Sequence, residues 1–511
     1  MQFSPDQRTT KKFQSNEDED EDVDVISNLP DEILHKILTF LPTKHAVATT
    51  ALSRRWTNLW TTAFLPHLEF NDLTLLHTIR SNPNPTHEQT LFVNFVNNVL
   101  RLSNLAKVTT FTLTCLGSYG SSCINSWLRI ACTNNITELD IYVNFDNGPI
   151  RLPAIVYIST SLVVLKLNAN VKLDINSDQV CFPSLKILHI FVYNQEDDDW
   201  TGELYRRCPA LEDLFLEGQV LDTYGKVQFH VCSSTLKRLK IEFSLLDRFC
   251  SFEYSFDYSF LVSAENLENL DVFDNFLAEY NVANLQVLDR ANICIGHPSL
   301  PAKAVGFLYA NRAFEFLEGI SHVRFLSLSG CTIGALSYIN EAKLEHPDEF
   351  ADDSDDDQYG DVDRWQSYGI LPTFNFLTNL ELGFRNFRSW TVLPYILQCS
   401  PNLEFLALKK EIPDNDMCNR WPWKEPEPLP KCMLYCLKEI DVKGFEGKHY
   451  ELTVVEFLLK NAQVLQRMAI YSPPLPLDEE MMLHKTIYEH PRGSETCQVK
   501  FFSNCLFQPY R

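Results

Sequence analysis

Beyond Trp60 one spacing recurs along the chain: an apolar residue, two others, an apolar residue, one other, and a third apolar residue. It begins at Val108, Ile136, Leu162, Leu185, Leu211, Leu236, Leu267, Val323, Leu377, Leu403, Leu437 and Leu465. Adjacent starts from Val108 to Leu267 lie 23 to 31 residues apart, and the two gaps that follow, 56 and 54 residues, are close to double intervals. A unit this short cannot hide its own apolar face, so it must stack on copies of itself. Two degenerate units are expected in the long gaps. Leu288, Ala291 and Ile293 are a weak candidate for the first, and an acidic run inside the second is read as an insertion.

Successive strand residues point to opposite faces, so the fourth and sixth positions of each unit face inward, as in Leu165 with Leu167, Leu188 with Ile190 and Leu214 with Leu216. Cys208-Pro209, Phe182-Pro183 and Ser400-Pro401 precede strands and suit a tight re-entry from the outer side. This is the logic of a leucine-rich repeat. The predicted fold class is α/β: a curved solenoid over about residues 100–425 with a parallel sheet on its concave face.

Positions three, five and seven then project to the concave side. They read Ile187, His189 and Phe191; Asp213, Phe215 and Glu217; Arg238, Lys240 and Glu242; Asn269, Asp271 and Phe273; and later Phe325, Phe405 and Lys409. Large aromatics on a solvent-facing row are unexpected and are common in binding hot spots. His189, Phe191, Phe215, Lys240, Phe273, Phe325 and Phe405 are therefore the candidate substrate-binding set. Two plainer readings stay open: neighbouring repeats cover the rings, or the register slips by one residue and sends them inward.

Before the repeats, Asp24 to Trp60 read as three short helices. Pro30 suits a first helical position, with Asp31 and Glu32 behind it at the positive end of the helix dipole. Ile33, Leu34, Ile37, Leu38 and Leu41 form one apolar stripe. Pro42 ends that helix; Thr43 can cap a second carrying Ala46, Val47, Ala48 and Ala51, and Ser53 a third carrying Trp56, Leu59 and Trp60. About forty residues cannot build a large core of their own, so the apolar face belongs against another surface, which could equally be a wall of the same protein.

The run LPDEILHKILTFLPTKHAV, followed by LSRRW and LW, resembles the F-box of plant F-box proteins across the whole motif, at residues 24–64. The resemblance implies docking on a Skp-family adaptor and, through it, on the cullin and RING subunits of a ubiquitin ligase. By position in the motif, Leu29, Pro30, Ile33, Leu34, Ile37, Leu38, Leu41, Pro42, Val47, Leu52, Ser53, Trp56, Leu59 and Trp60 form the adaptor-facing or F-box-packing set. His45 stands where many relatives carry an acidic residue. Pro430 to Ser472 reads as strand, turn at Gly444 to Gly447, helix from about Glu451 to Asn461, and strand, and resembles the FBD module that follows such repeats in the same plant family. That module, within residues 426–475, is expected to close the open end of the array, with a C-terminal extension at 476–511. The resemblance as a whole is to plant F-box/FBD/leucine-rich-repeat proteins. It implies a substrate-recognition subunit of an SCF-type ligase that binds a protein through its repeats. A repeat scaffold or decoy without a ligase role is the alternative.

Composition limits the other classes. Of the net charge of −23, a net −17 lies in Glu17 to Asp24 and Glu341 to Asp363, leaving an ordinary balance elsewhere. Residues 1–23 and about 341–366 are expected to be solvated, disordered segments. The second run fails as a calcium loop: counted from Asp353, the sixth and twelfth places hold Gln358 and Arg364, where an EF-hand needs glycine and glutamate. No basic stripe suits nucleic acid. There is no long apolar run for a membrane and no hydrophobic start for a secretory signal. An intracellular chain, cytoplasmic or nuclear, is expected, with its 15 cysteines reduced. GxSxG, GxGxxG, the phosphate loop and HExxH are absent, and Cys432 and Cys436 lack a second pair for zinc. No cofactor, metal or catalytic residue is assigned. Some plant F-box repeat proteins are hormone receptors, but this chain has no arginine cluster suited to a polyphosphate.

Overall fold

A computed structural model describes residues 26, 28–63, 65–73, 85–144, 150–172, 182–192, 207–220, 227–245, 258–275, 278–296, 303–345, 371–385, 387–411 and 425–502. The expected N-terminal tail and residues 346–366 of the expected insertion lie outside these. Residues 341–345, assigned to that insertion, instead complete the helix Gly330–Glu345.

The repeats form a 15-stranded sheet that runs in chain order from His67–Asn71 to Gln498–Phe502, with every pairing parallel. The register is constant. Leu188 pairs with Leu214, Leu214 with Leu239, Leu239 with Leu270, Leu270 with Ala291 and Ala291 with Leu326, so each inward side chain stacks on its counterpart in the next repeat. These residues are at most 2% exposed, and the core they build is continuous along the solenoid.

The re-entry turns explain why the spacing is so regular. The first apolar residue of a unit donates its N–H to the carbonyl three residues back, Leu211 to Cys208 at 3.1 Å and Leu403 to Ser400 at 3.4 Å. The second residue offers its carbonyl to two N–H groups of the next unit. Lys186 receives Glu212 and Asp213 at 2.9 Å each, and Glu212 receives Lys237 and Arg238 at 2.8 and 3.0 Å. The same device continues at Glu404 with Lys438, Lys438 with Gln466, and Gln466 with Gln498. From Lys186 through Glu212 and Lys237 to Glu268 the side chains at this position alternate in sign. Glu212 lies between Lys186 at 2.9 Å and Lys237 at 3.0 Å, and their hydrogen bonds hold its carboxyl down to about 2.

Three features differ from the sequence expectation, and one weak candidate unit holds. The array starts one strand earlier, because Leu65, Leu68 and Phe70 carry the same spacing and feed strand His67–Asn71. The weak unit at Leu288 is a full strand, Arg290–Ile295. The second long gap hides no unit: Phe325–Leu328 pairs directly with Asn379–Phe384, and the helix Gly330–Glu345 occupies part of the interval. The strands expected to close the array, Glu439–Lys443 and Arg467–Tyr471, are interior, and the last strand is Gln498–Phe502, reached through the helix Leu477–Glu489.

A smaller parallel sheet adds Val227–Cys232, Tyr258–Ser263 and Glu279–Ala283. Phe229, Phe260 and Tyr280 stack face to face along it, with centroids 4.8 and 5.1 Å apart. Among the described residues no helix is long and apolar enough to cross a membrane.

Gly383, on strand Asn379–Phe384, sits where two segments meet. A Cβ there would collide with the Glu411 carboxylate and come within 2.5 Å of the Gly330 nitrogen, which donates to that carboxylate at 2.8 Å. Gly383→Ala is expected to lower stability by about 1–3 kcal/mol, as overpacking of a filled site does. Thermal melting against the parent chain reads this.

Candidate functional site

Helix α1 spans Asp31–Thr39, α2 Thr43–Ala48 and α3 Leu59–Thr62. Pro30 lies one place before the first helical residue, and its carbonyl accepts from Ile33 and Leu34 at 3.0 and 3.1 Å. Thr43 does not cap α2. Its buried hydroxyl accepts the N–H of Glu69 at 2.8 Å, so the helical unit is tied to the edge of the first strand. Pro42 takes the cap position, with its carbonyl receiving His45 and Ala46. Ser53 turns the chain into the Trp56–Asn58 helical turn through its carbonyl, which accepts from Trp56 at 3.1 Å. Arg55 pairs with Asp31 at 2.6 Å, and Thr62 meets His35 at 3.2 Å, holding the third helix to the first.

The apolar residues of this unit divide by burial. Leu34, Leu38, Trp56, Leu59 and Trp60 are 0–7% exposed and belong to the core that continues into the repeats. Leu29, Ile37, Leu41 and Val47 are half-buried against that core, and Ser53 is half-buried. Pro30, Ile33, Pro42 and Leu52 face outward, with Ile33 47% and Leu52 65% exposed. Two further residues, missed in the sequence, join them: Ile26 at 57% and Phe40 at 76%. Pro30, Ile33, Ile37 and Phe40 recur three and four apart and so share one face at α1. Phe40 could have been found from that spacing, which the reading of Leu41 as the end of the stripe obscured.

On the inner sheet the one-residue slip does not occur, because Leu188, Ile190, Leu214, Leu216, Leu239 and Ile241 are all buried. The central row runs Lys166, His189, Phe215, Lys240, Asp271 and Asn292 in lateral register. His189 pairs with Glu217 at 3.0 Å and leans on Phe215 at 5.7 Å. The imidazole beside it pulls the Glu217 carboxyl below the usual range. Lys240 pairs with Glu242 at 2.5 Å; burial opposes its charge, but Glu242, Glu217 and Asp271 outweigh this and leave it above the ordinary lysine value. Arg290 lies 4.2 Å over the Phe325 ring.

The predicted residues therefore do not form one patch. His189, Phe191 and Phe215 cluster on adjacent strands, with both phenylalanines half-buried. Phe273 is 38% exposed, two strands beyond Glu217. Phe325 and Phe405 are half-buried and separated by Asn379. The row is a mosaic of paired charges and single rings, a surface suited to recognising polar protein segments with a few aromatic anchors.

A three-helix unit with an outward apolar face, joined to a long parallel solenoid, has the architecture of a modular protein-recognition molecule. Family profiles agree with it along the chain. An F-box domain matches residues 26–66, the leucine-rich repeats described for the FBD-associated F-box protein At5g56370 match 124–295, and FBD matches 425–470. The F-box/LRR-repeat protein At4g14103 of Arabidopsis thaliana is 30% identical over 76% of this chain and 91% of its own length. The F-box/FBD/LRR-repeat proteins At5g56420 and At4g26340 of the same plant are 29% and 28% identical, each over 94% of this chain and over 99% and 100% of their own lengths. The chain belongs to the plant F-box/FBD/leucine-rich-repeat family.

Proposed function

We propose that this F-box protein is the substrate-recognition subunit of an SCF-type cullin-RING ubiquitin ligase. The observation that carries this reading is the outward apolar surface of the F-box, where Ile26, Ile33, Phe40 and Leu52 are 47–76% exposed while Leu34, Leu38, Trp56, Leu59 and Trp60 pack into the solenoid core. Burying one such side chain contributes about 1.5–3 kcal/mol, so four of them and their half-buried neighbours can supply the apolar centre of a stable complex. The occupant is a Skp-family adaptor, which in turn brings cullin and RING subunits. The repeats hold a protein substrate, and the chemistry of transfer belongs to the partner enzymes; this chain contributes proximity. Such a role places the protein in the cytoplasm, the nucleus or both.

A pull-down of the full chain on a purified plant Skp-family adaptor tests the first half: a stoichiometric complex is expected, and failure to bind would refute it. For the second half, proximity labelling with a full chain carrying Ile33→Asp and Phe40→Asp, which keeps the buried F-box residues in place, collects trapped substrates. Changing Phe215 and Phe273 to alanine is expected to reduce capture of the enriched proteins at least tenfold, and the same two substitutions in the full chain with an intact F-box are expected to leave adaptor binding unaltered. Undiminished capture would move the substrate surface away from the inner sheet.

A further inference from the structure

Two cysteines meet at the rim of the inner sheet. Cys294 is the penultimate residue of strand Arg290–Ile295, at the seventh position of its unit, half-buried and in register with Phe273. Cys331 is the second residue of the helix Gly330–Glu345. The backbones beside them are tied together: the Ile295 N–H donates to Thr332 Oγ1 at 2.8 Å, and the Cys331 carbonyl fills the space a Cβ on Gly296 would need, at 2.9 Å. The thiols are close enough to influence each other, and the Arg385 guanidinium donates to Cys331 Sγ at 3.4 Å.

These surroundings give the two sulfurs different roles. The neighbouring Cys294 thiol lowers the Cys331 thiol; burial opposes this, but the Arg385 guanidinium lowers it further, and its place in the first turn of a 16-residue helix acts in the same sense. The same neighbour, together with burial, raises Cys294, which keeps its proton. Other described cysteines, among them Cys115, Cys132 and Cys432, are raised by burial and so are poor nucleophiles.

We propose that Cys331 and Cys294 form a peroxide-sensitive thiol pair that closes to a disulfide between adjacent repeats. The Cys331 thiolate attacks the peroxide O–O bond, giving a sulfenic acid and releasing the other oxygen as water or alcohol once it takes up a proton. The Cys294 sulfur then displaces that hydroxyl, which leaves as water with the Cys294 proton, and the S–S bond forms. The peroxide is reduced and two thiols are oxidised. Closure also removes the thiolate from Arg385, leaving the guanidinium to Glu411, 3.8 Å away.

The test treats the purified, reduced full chain with hydrogen peroxide, quenches it with an alkylating reagent, and maps peptides by mass spectrometry. The expected first product is a reductant-reversible Cys294–Cys331 crosslink. Cys294→Ser, checked for an unchanged melting curve, should give no crosslink and a sulfenic acid at Cys331 that dimedone traps. Arg385→Leu should slow Cys331 oxidation at least fivefold. Earlier oxidation of other cysteines, or a Cys331 that stays unmodified by peroxide in both the parent and the Cys294→Ser chain, would overturn the proposal.

Discussion

Replacing Ile33 and Phe40 together by aspartate will weaken binding to a Skp-family adaptor by at least 100-fold, about 3 kcal/mol, without unfolding the protein. Both side chains lie outward on one face of the F-box, seven residues apart, at 47% and 76% exposure. A carboxylate there costs little in the free protein and is desolvated in the complex. Titration calorimetry gives the affinity, and a thermal melt unchanged within a few degrees shows that the fold survives. Trp56 and Leu34 behave differently. They are 2% and 0% exposed, so Trp56→Ala or Leu34→Ala opens a cavity costing about 2–5 kcal/mol, and any loss of binding then reports folding. Binding that persists in the double aspartate variant would place the adaptor elsewhere.

Lys410→Met will lower the stability of the C-terminal half by about 3–5 kcal/mol, the usual cost of leaving a buried carboxylate without its partner. Lys410 is 5% exposed at the end of strand Phe405–Lys410, and its ammonium donates to Glu446 at 2.8 Å, Glu451 at 2.9 Å and the Tyr450 hydroxyl at 3.3 Å. Glu451, 1% exposed near the start of the helix His449–Asn461, also accepts the N–H groups of Glu446 and Lys448. This cluster joins the last repeat to the FBD region. Burial opposes the Lys410 charge, but Glu451 and Glu446 outweigh it, so its folded value lies above the lysine value of 10.5. Its contribution is therefore complete below 10.5 and is lost as pH rises through the folded value. The stability gap between parent and variant, from denaturant unfolding, should be constant from pH 7 to about pH 10 and close above it. A Lys410→Met chain as stable as the parent at pH 7 would show that the cluster is solvated.

Much of this architecture is legible in the sequence because one residue pair per strand does a repeated job. Leu188 with Ile190 and Leu214 with Leu216 must be apolar wherever the unit stacks, so the spacing reveals the strands. The ends were less legible for a physical reason. At the last strand the first position is Thr496, where among the described residues no further strand follows, and only Val499 and Phe501 keep the pattern. The direct pairing of Phe325–Leu328 with Asn379–Phe384 was hidden because a return segment has no fixed length: a helix can fill the interval without adding a strand. In the F-box, amphipathic spacing picks out apolar positions but cannot say which of two surfaces each one meets. Leu34 and Phe40 are equally apolar, yet one is sealed in the core and the other faces outward. On the inner sheet the sequence supplies His189 and Lys240 as candidate contacts but not their pairing with Glu217 and Glu242, because that depends on which side chains neighbouring strands bring together.

Hydrogen exchange of the full chain with and without a purified plant Skp-family adaptor tests the central claim most directly. New protection is expected to concentrate in residues 26–52, with the inner strands unchanged. Protection confined to the inner strands, or none anywhere at saturating adaptor, would contradict it.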